Sequence, residues 1–116
     1  MREGFCASYH RGVELIGRRW NGVILRELLL GATRFSEIRQ GIPALTDKML
    51  ANRLRELEAA GIVVRTVYDE VPVRIEYELT AMGRDLETAV AALNQWASRW
   101  FPPDDEKDLA EHRAEE

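Results

Sequence analysis

Lys48, Asn52 and Arg55 lie at helical spacing in the stretch 45–60, LTDKMLANRLRELEAA. All three end in N–H donors on long or forked side chains, the groups that meet base edges and phosphates. At about 100° per residue they share one face of a helix, with Glu56 beside them. Leu50, Leu54 and Leu57, at i, i+4 and i+7, form a narrow apolar stripe on the other face. Thr46 stands where an N-cap belongs, and Asp47 places negative charge on the first turn. Exposed helix faces often carry Lys, Arg and Asn, so this stretch alone leaves a solvated face and a nucleic-acid-reading face both open. Cys6 is the other residue with distinctive chemistry. It is the single cysteine, which excludes an internal disulfide framework and a multi-cysteine metal site. His10 and His112 are far apart and make no ligand-spaced pair. No carboxylate pair, nucleophile–base pairing or phosphate loop marks an enzyme, so no catalytic, metal or cofactor site is expected.

The elements that must hold these residues fit one compact domain, because 116 residues with 46% apolar content can build one core. No apolar run approaches the roughly 20 residues needed to span a bilayer. The N-terminus lacks the apolar region of a secretory signal, so a cytoplasmic location and no membrane partner are expected. The net charge of −4 is unevenly spread. Residues 104–116 carry seven acids against two bases, a net of −5, which leaves +1 for residues 1–103. Those 103 residues are read as the domain and 104–116 as an acidic, disordered tail. Nucleic-acid binding needs local basic patches rather than a basic total, so composition neither demands nor forbids it.

Along the chain, residues 1–8 have no clear pattern. Residues 9–16 read as a short helix with Tyr9, Val13 and Ile16 on one side. Trp20, Val23, Ile24, Leu28 and Leu29 follow helical spacing to a stop at Gly31. Phe35, Ile38 and Ile42 mark a short helix ended by Gly41, and Pro43 enforces a turn. The helix at 46–60 then stops at Gly61, a good C′ residue. Two helices joined by a tight turn, the second with a polar outward face, make a helix-turn-helix pattern. A hairpin follows from Val63 to Leu79. Its tip is at 69–72, and Val73, Ile75, Tyr77 and Leu79 alternate with polar residues as in a strand with one buried face. Thr80 caps one last helix, with Met82, Leu86, Val90, Leu93, Trp96 or Ala97, and Trp100 on its apolar side, ended by Pro102 and Pro103. The predicted fold is mainly α with a small β-hairpin wing: a winged helix-turn-helix with an added helix at each end.

This order of elements, with Cys6, residues 14–20 (ELIGRRW), 24–31 (ILRELLLG), 34–38 (RFSEI), Leu50, 52–57 (NRLREL) and 60–62, resembles the HxlR-type winged helix-turn-helix transcriptional regulators. The wing text at 65–72 and 74–80 is the most specific piece, and the resemblance covers residues 6–101. It implies a homodimeric, double-stranded-DNA-binding regulator, more often a repressor, acting on an inverted-repeat operator. Dimerisation through the terminal helices puts Tyr9, Val13, Leu93, Trp96, Trp100 and Phe101 at the interface. Three large aromatics so near the chain end exceed what the core needs, and aromatics are enriched in interface cores; the alternative is packing on the N-terminal helix of the same chain. The sequence departs from the family's pattern at Asn21 and Gly22, where larger residues are usual after the tryptophan, and at Asp47, where many relatives have proline.

On that frame the candidate base contacts are Lys48, Asn52 and Arg55, with Ala51 placed to approach a thymine methyl. Arg53 lies at the edge of the apolar stripe, where packing along the protein and a phosphate contact are both open. Arg18, Arg19, Arg34 and Ser36 stand near helix starts, where anions bind. Arg74 and Arg65 flank the wing, while acidic Asp69 and Glu70 argue against deep insertion of its tip. Cys6 precedes a helix, whose N-terminal end favours an anion. Some relatives sense oxidants or electrophiles with a cysteine at this place; the other reading is a small apolar residue in the dimer interface. A small-molecule effector is a further expectation without a marking constellation. The alternative function is a winged-helix protein-interaction module that binds no specific DNA.

Overall fold

The computed structural model describes residues 4–103; the acidic segment 104–116 lies outside them. The element order is α1 (Ala7–Gly17), α2 (Asn21–Leu29), α3 (Phe35–Gly41), α4 (Asp47–Ala59), β1 (Val63–Tyr68), β2 (Arg74–Leu79), α5 (Ala81–Arg84) and α6 (Glu87–Trp100). This is the expected winged helix-turn-helix: mainly α, with an antiparallel hairpin. Val63 pairs with Leu79, Arg65 with Tyr77 and Tyr68 with Arg74. The backbone N–H of Tyr77 also donates to the Thr33 carbonyl at 2.8 Å, which fastens the wing to the entry of α3.

One core holds these elements. Ile24 and Leu25 of α2, Ile38 of α3, Leu45, the α4 stripe Leu50, Leu54 and Leu57, and Ile62 are all essentially without exposure. Trp20 and Phe35 pack against this cluster from its margin. The helix-stopping glycines at 31 and 61 have φ of +110° and +83°, left-handed values that only glycine adopts without cost.

Several sequence expectations are corrected. α1 begins at Ala7 rather than Tyr9, because Cys6 caps it: the Tyr9 N–H donates to Cys6 Sγ at 3.4 Å. Trp20 is not in α2 but precedes it with φ +78°, a left-handed turn that reverses the chain between α1 and α2. The buried α2 positions include Leu25, whereas Val23 is exposed. Burial of Leu25 replaces the expected Val23 because α2 starts one residue after Trp20 and its inward face is set by Asn21, Ile24, Leu25 and Leu28. β2 starts at Arg74, leaving Val73 exposed.

The last helix is not continuous. It breaks after α5 and restarts at Glu87, and Met82 points away from the core. The cause is local. The Thr80 N–H donates to the Ile62 carbonyl at 3.0 Å, and the Thr80 hydroxyl to the Gly61 carbonyl at 2.6 Å. This clamps the first turn of α5 onto the strand start so closely that a Cβ on Gly83 would run into the Ile62 carbonyl oxygen and stand 2.9 Å from Leu79 Cδ2. Gly83→Ala should therefore destabilise the protein by about 1–3 kcal/mol through overpacking, despite alanine's better helix propensity. A urea midpoint equal to or above wild type would contradict the clamp.

Candidate nucleic-acid interface

α4 is held from three sides and bare on the fourth. Its start is fixed by Thr46, whose Oγ1 accepts from the Met49 N–H at 3.2 Å, and by Asp47, which pairs with Arg39 Nε of α3 at 2.9 Å. The departure at Asp47 thus makes an interhelix ion pair. Its leucine stripe is in the core. Its flank grips the α1–α2 junction. Arg53 Nε donates to the Arg19 carbonyl at 2.9 Å and Nη1 lies 3.4 Å from Glu56 Oε2. Arg18 forks onto the same Glu56 with contacts of 2.7 and 3.0 Å. That fork raises the Arg18 pKa and holds the Glu56 carboxyl below its usual range.

Two of the expected DNA contacts thus have partners within the protein. Arg53 is buried, 8% exposed, and its guanidinium serves the protein, which decides between the two roles the sequence left open for it. Arg18, half-exposed, forks onto Glu56 and so ties the α1–α2 junction to α4. Both contacts have a physical reason: Arg18 reaches Glu56 of α4, and Arg53 of α4 reaches the Arg19 carbonyl, only after the chain folds back across 38 and 34 residues, contacts no local spacing reveals.

The wing arginine Arg74 has partners within the protein as well. Arg74 lies between Glu70, at 2.9 Å, and Glu76, with its guanidinium 3.8 Å over the Tyr68 ring. Both carboxylates, Glu70 first, raise its pKa. Glu76 also stands 3.9 Å from Arg34 Nε. Arg74, expected beside the minor groove, is thus occupied inside the wing. Arg65 is exposed and lines a cleft of about 300 Å³ with Ala51, Leu54, Arg55, Glu58 and Tyr77, so the wing and α4 form one continuous surface there.

At the entry to α3, Glu37 Oε1 accepts from the backbone N–H groups of Thr33, at 2.9 Å, and Arg34, at 3.0 Å. Those two bonds lower the Glu37 pKa and leave the Arg34 and Ser36 side chains on the exposed side. Arg19 has its guanidinium 5.1 Å from the Trp20 ring centroid. On α4 itself Lys48 and Arg55 are exposed and Ala51 and Asn52 half-buried. Arg55 Nη2 donates to Asn52 Oδ1.

Asn21 was missed as a structural residue. It is 2% exposed, and its Nδ2 donates to the Leu15 carbonyl at 2.8 Å, closing the end of α1 against α2. The only sequence signal was the departure from the family pattern at this position.

α1 and α6, by contrast, bury no residue at all. Tyr9, Val13, Leu93, Trp96, Trp100 and Phe101 are all at least 47% exposed. Trp96 and Phe101 touch edge to face at 5.6 Å without being covered, so packing of the C-terminal aromatics on the N-terminal helix of the same chain is not what this protomer does.

A buried helix-turn-helix, an outward donor-bearing second helix and an adjoining hairpin define a winged helix-turn-helix protein of the DNA-binding class. Residues 15–105 match the model of the HxlR-like helix-turn-helix family. The chain belongs to that family. It is 41% identical over 98 residues to the HTH-type transcriptional regulator YvaP of Bacillus subtilis, covering 84% of this chain and 91% of YvaP. It is 40% identical over 105 residues to the HTH-type transcriptional regulator YodB of the same organism, covering 90% and 94%. The solved reduced form of YodB superposes with a TM-score of 0.74 over 88% of this chain and 100% of that one, at 40% identity. YodB has also been solved diamide-treated (TM-score 0.70) and quinone-bound (0.69). The redox regulator HypR in its oxidised form is 40% identical, with a TM-score of 0.75 over 80% of this chain and 96% of its own. These relatives are transcriptional regulators, and no described helix of this chain is long and apolar enough to cross a membrane.

Proposed function

We propose that the protein is a homodimeric, sequence-specific transcriptional regulator that acts in the cytoplasm on an inverted-repeat operator, as a repressor. The observation that carries this reading is the outward face of α4, where Lys48, Asn52 and Arg55 project from a helix braced on every other side. A rigid helix of this kind fits the major groove, with Lys48, Ala51 and Asn52 toward the bases and Arg55 one turn deeper. Arg65 beside it, and Arg34, Ser36 and Arg19 at the neighbouring helix starts, are placed for phosphates. The uncovered apolar faces of α1 and α6 support a two-fold dimer. It would set two copies of α4 about 34–36 Å apart, one turn of duplex.

Cys6 is assigned the role of sensor. It is exposed, and its sulfur caps α1, one of the two helices with the bare faces. Alkylation by a quinone replaces the free sulfur with a bulky thioether. Oxidation by diamide joins Cys6 to a second thiol, that of the other subunit or of a small molecule, while diamide takes the two electrons and two protons. Either change alters the cap of a helix at the proposed interface. YodB, which has reduced, diamide-treated and quinone-bound structures, supports this assignment.

Selection of bound genomic fragments, with and without diamide, tests the reading. Wild type is expected to enrich a short inverted repeat, with affinity falling steeply as salt rises because phosphate contacts release counterions. The Asn52→Ala/Arg55→Ala double variant is expected to retain only the salt-sensitive, non-specific part; unchanged operator affinity would place the reading face elsewhere. Cys6→Ser is expected to hold DNA in diamide. Release equal to wild type would leave Cys6 a purely structural cap.

A further inference from the structure

The bond between Arg55 and Asn52 determines what α4 offers to a base. The two residues are one turn apart, where helix side chains meet, and Arg55 Nη2 donates to Asn52 Oδ1. A free asparagine is suited to adenine: Oδ1 accepts from N6–H while Nδ2 donates to N7. Here Oδ1 is turned to a guanidinium, so a cation stands beside the acceptor. The amino groups of adenine and cytosine would approach that cation with a positive hydrogen. The acceptors O6 and N7 of guanine would meet the remaining guanidinium N–H groups of Arg55 instead. Lys48, one turn earlier on the same face, adds donors only.

The neighbouring acids do not offset this. Asp47 is held by Arg39, and Glu56 by Arg18 and Arg53. Glu58 lies on the wing side of α4, in the cleft that Arg55 and Arg65 both line, away from the Asn52 acceptor.

We infer that Asn52 is a positioning residue for Arg55, and that the pair makes α4 a reader of guanine rather than adenine. This rests on the reading of α4 as the helix that enters the major groove.

The test is selection from random duplexes with the full-length protein as wild type, Asn52→Ala, Asn52→Asp and Arg55→Ala. Wild type is expected to enrich a repeat with one guanine per half-site that disappears from the Arg55→Ala selection. Changing that guanine to adenine should lower wild-type affinity roughly tenfold to a hundredfold, the range of a good bidentate base contact. Asn52→Ala should reduce that ratio several-fold while affinity for non-specific duplex at low salt stays at the wild-type level, a readout that a folding defect would move. Asn52→Asp keeps an acceptor for Arg55 and should keep the guanine preference. An adenine that depends on Asn52, or an undiminished guanine preference in Asn52→Ala, would overturn the inference while leaving DNA reading by α4 intact. Enrichment of no duplex by any of the four proteins would remove the DNA-reading function itself and the inference with it.

Discussion

Leu93→Asp combined with Trp96→Asp should convert the protein to a monomer and lower its affinity for a full inverted repeat by about 10²- to 10⁴-fold. The magnitude comes from linkage. When two reading heads are joined, the second half-site is bound as an intramolecular step, and separating the heads forfeits that effective concentration without touching one base contact. The variant should bind an isolated half-site as well as wild type does. Both side chains are half-exposed in the protomer, at 50% and 54%, and lie on a helix that buries nothing, so the cost falls on association. A contiguous uncovered apolar surface on a soluble protein marks a contact site. Light scattering gives the mass and titration of full and half operators gives the ratio. A variant that stays dimeric, or a monomer that keeps full operator affinity, would sink the dimer model.

Leu50→Ala is expected to be the most damaging single change to the fold. Leu50 is fully buried in the core cluster, which also holds Ile24 of α2 and Ile38 of α3. Truncation leaves a cavity and should cost about 2–5 kcal/mol. For a domain of this size that lowers the thermal midpoint by on the order of 10–30 °C. Alanine is the best helix former, so α4 itself is not weakened and the loss reports packing alone. DNA binding of the fraction still folded should be close to normal, because the reading side chains lie on the opposite face. A loss below about 1 kcal/mol would mean that the core closes over the gap and that α4 is less rigidly seated than its buried stripe implies.

The two experiments separate the functions of the molecule's two apolar surfaces. The inward leucines of α4 hold the proposed reading head in the protomer. The outward aromatics of α6 would set the distance between heads. α4 carries groups for both the core and the proposed DNA contact, and its flank adds a third contact, the grip of Arg53 and Glu56 on the residues before α2.

Much of this was legible in the chain. The 3.6-residue period of Leu50, Leu54 and Leu57, the Thr46 cap, the stops at Gly31 and Gly61, and the period-2 text of the second wing strand are local signals, because they report how successive side chains meet one face or one turn. They were enough to place the helix-turn-helix, the wing and the donors on the outer face of α4. The tertiary structure decided which charged side chains remain available. Arg18, Arg53 and Arg74 have the same composition-level signature as Lys48 and Arg55. Folding gives them carboxylate or carbonyl partners from distant or cross-wing positions, and hydrogen bonds to an ionised group are the stronger kind. It also decided the break before α6, since nothing local to Gly83 announces that the Ile62 carbonyl, 21 residues upstream, occupies the space of its missing Cβ. Periodicity is a property of neighbours along the chain and is written in the sequence. The pairing of charges and the closeness of two backbones are properties of neighbours in space, and they exist only once the chain has folded.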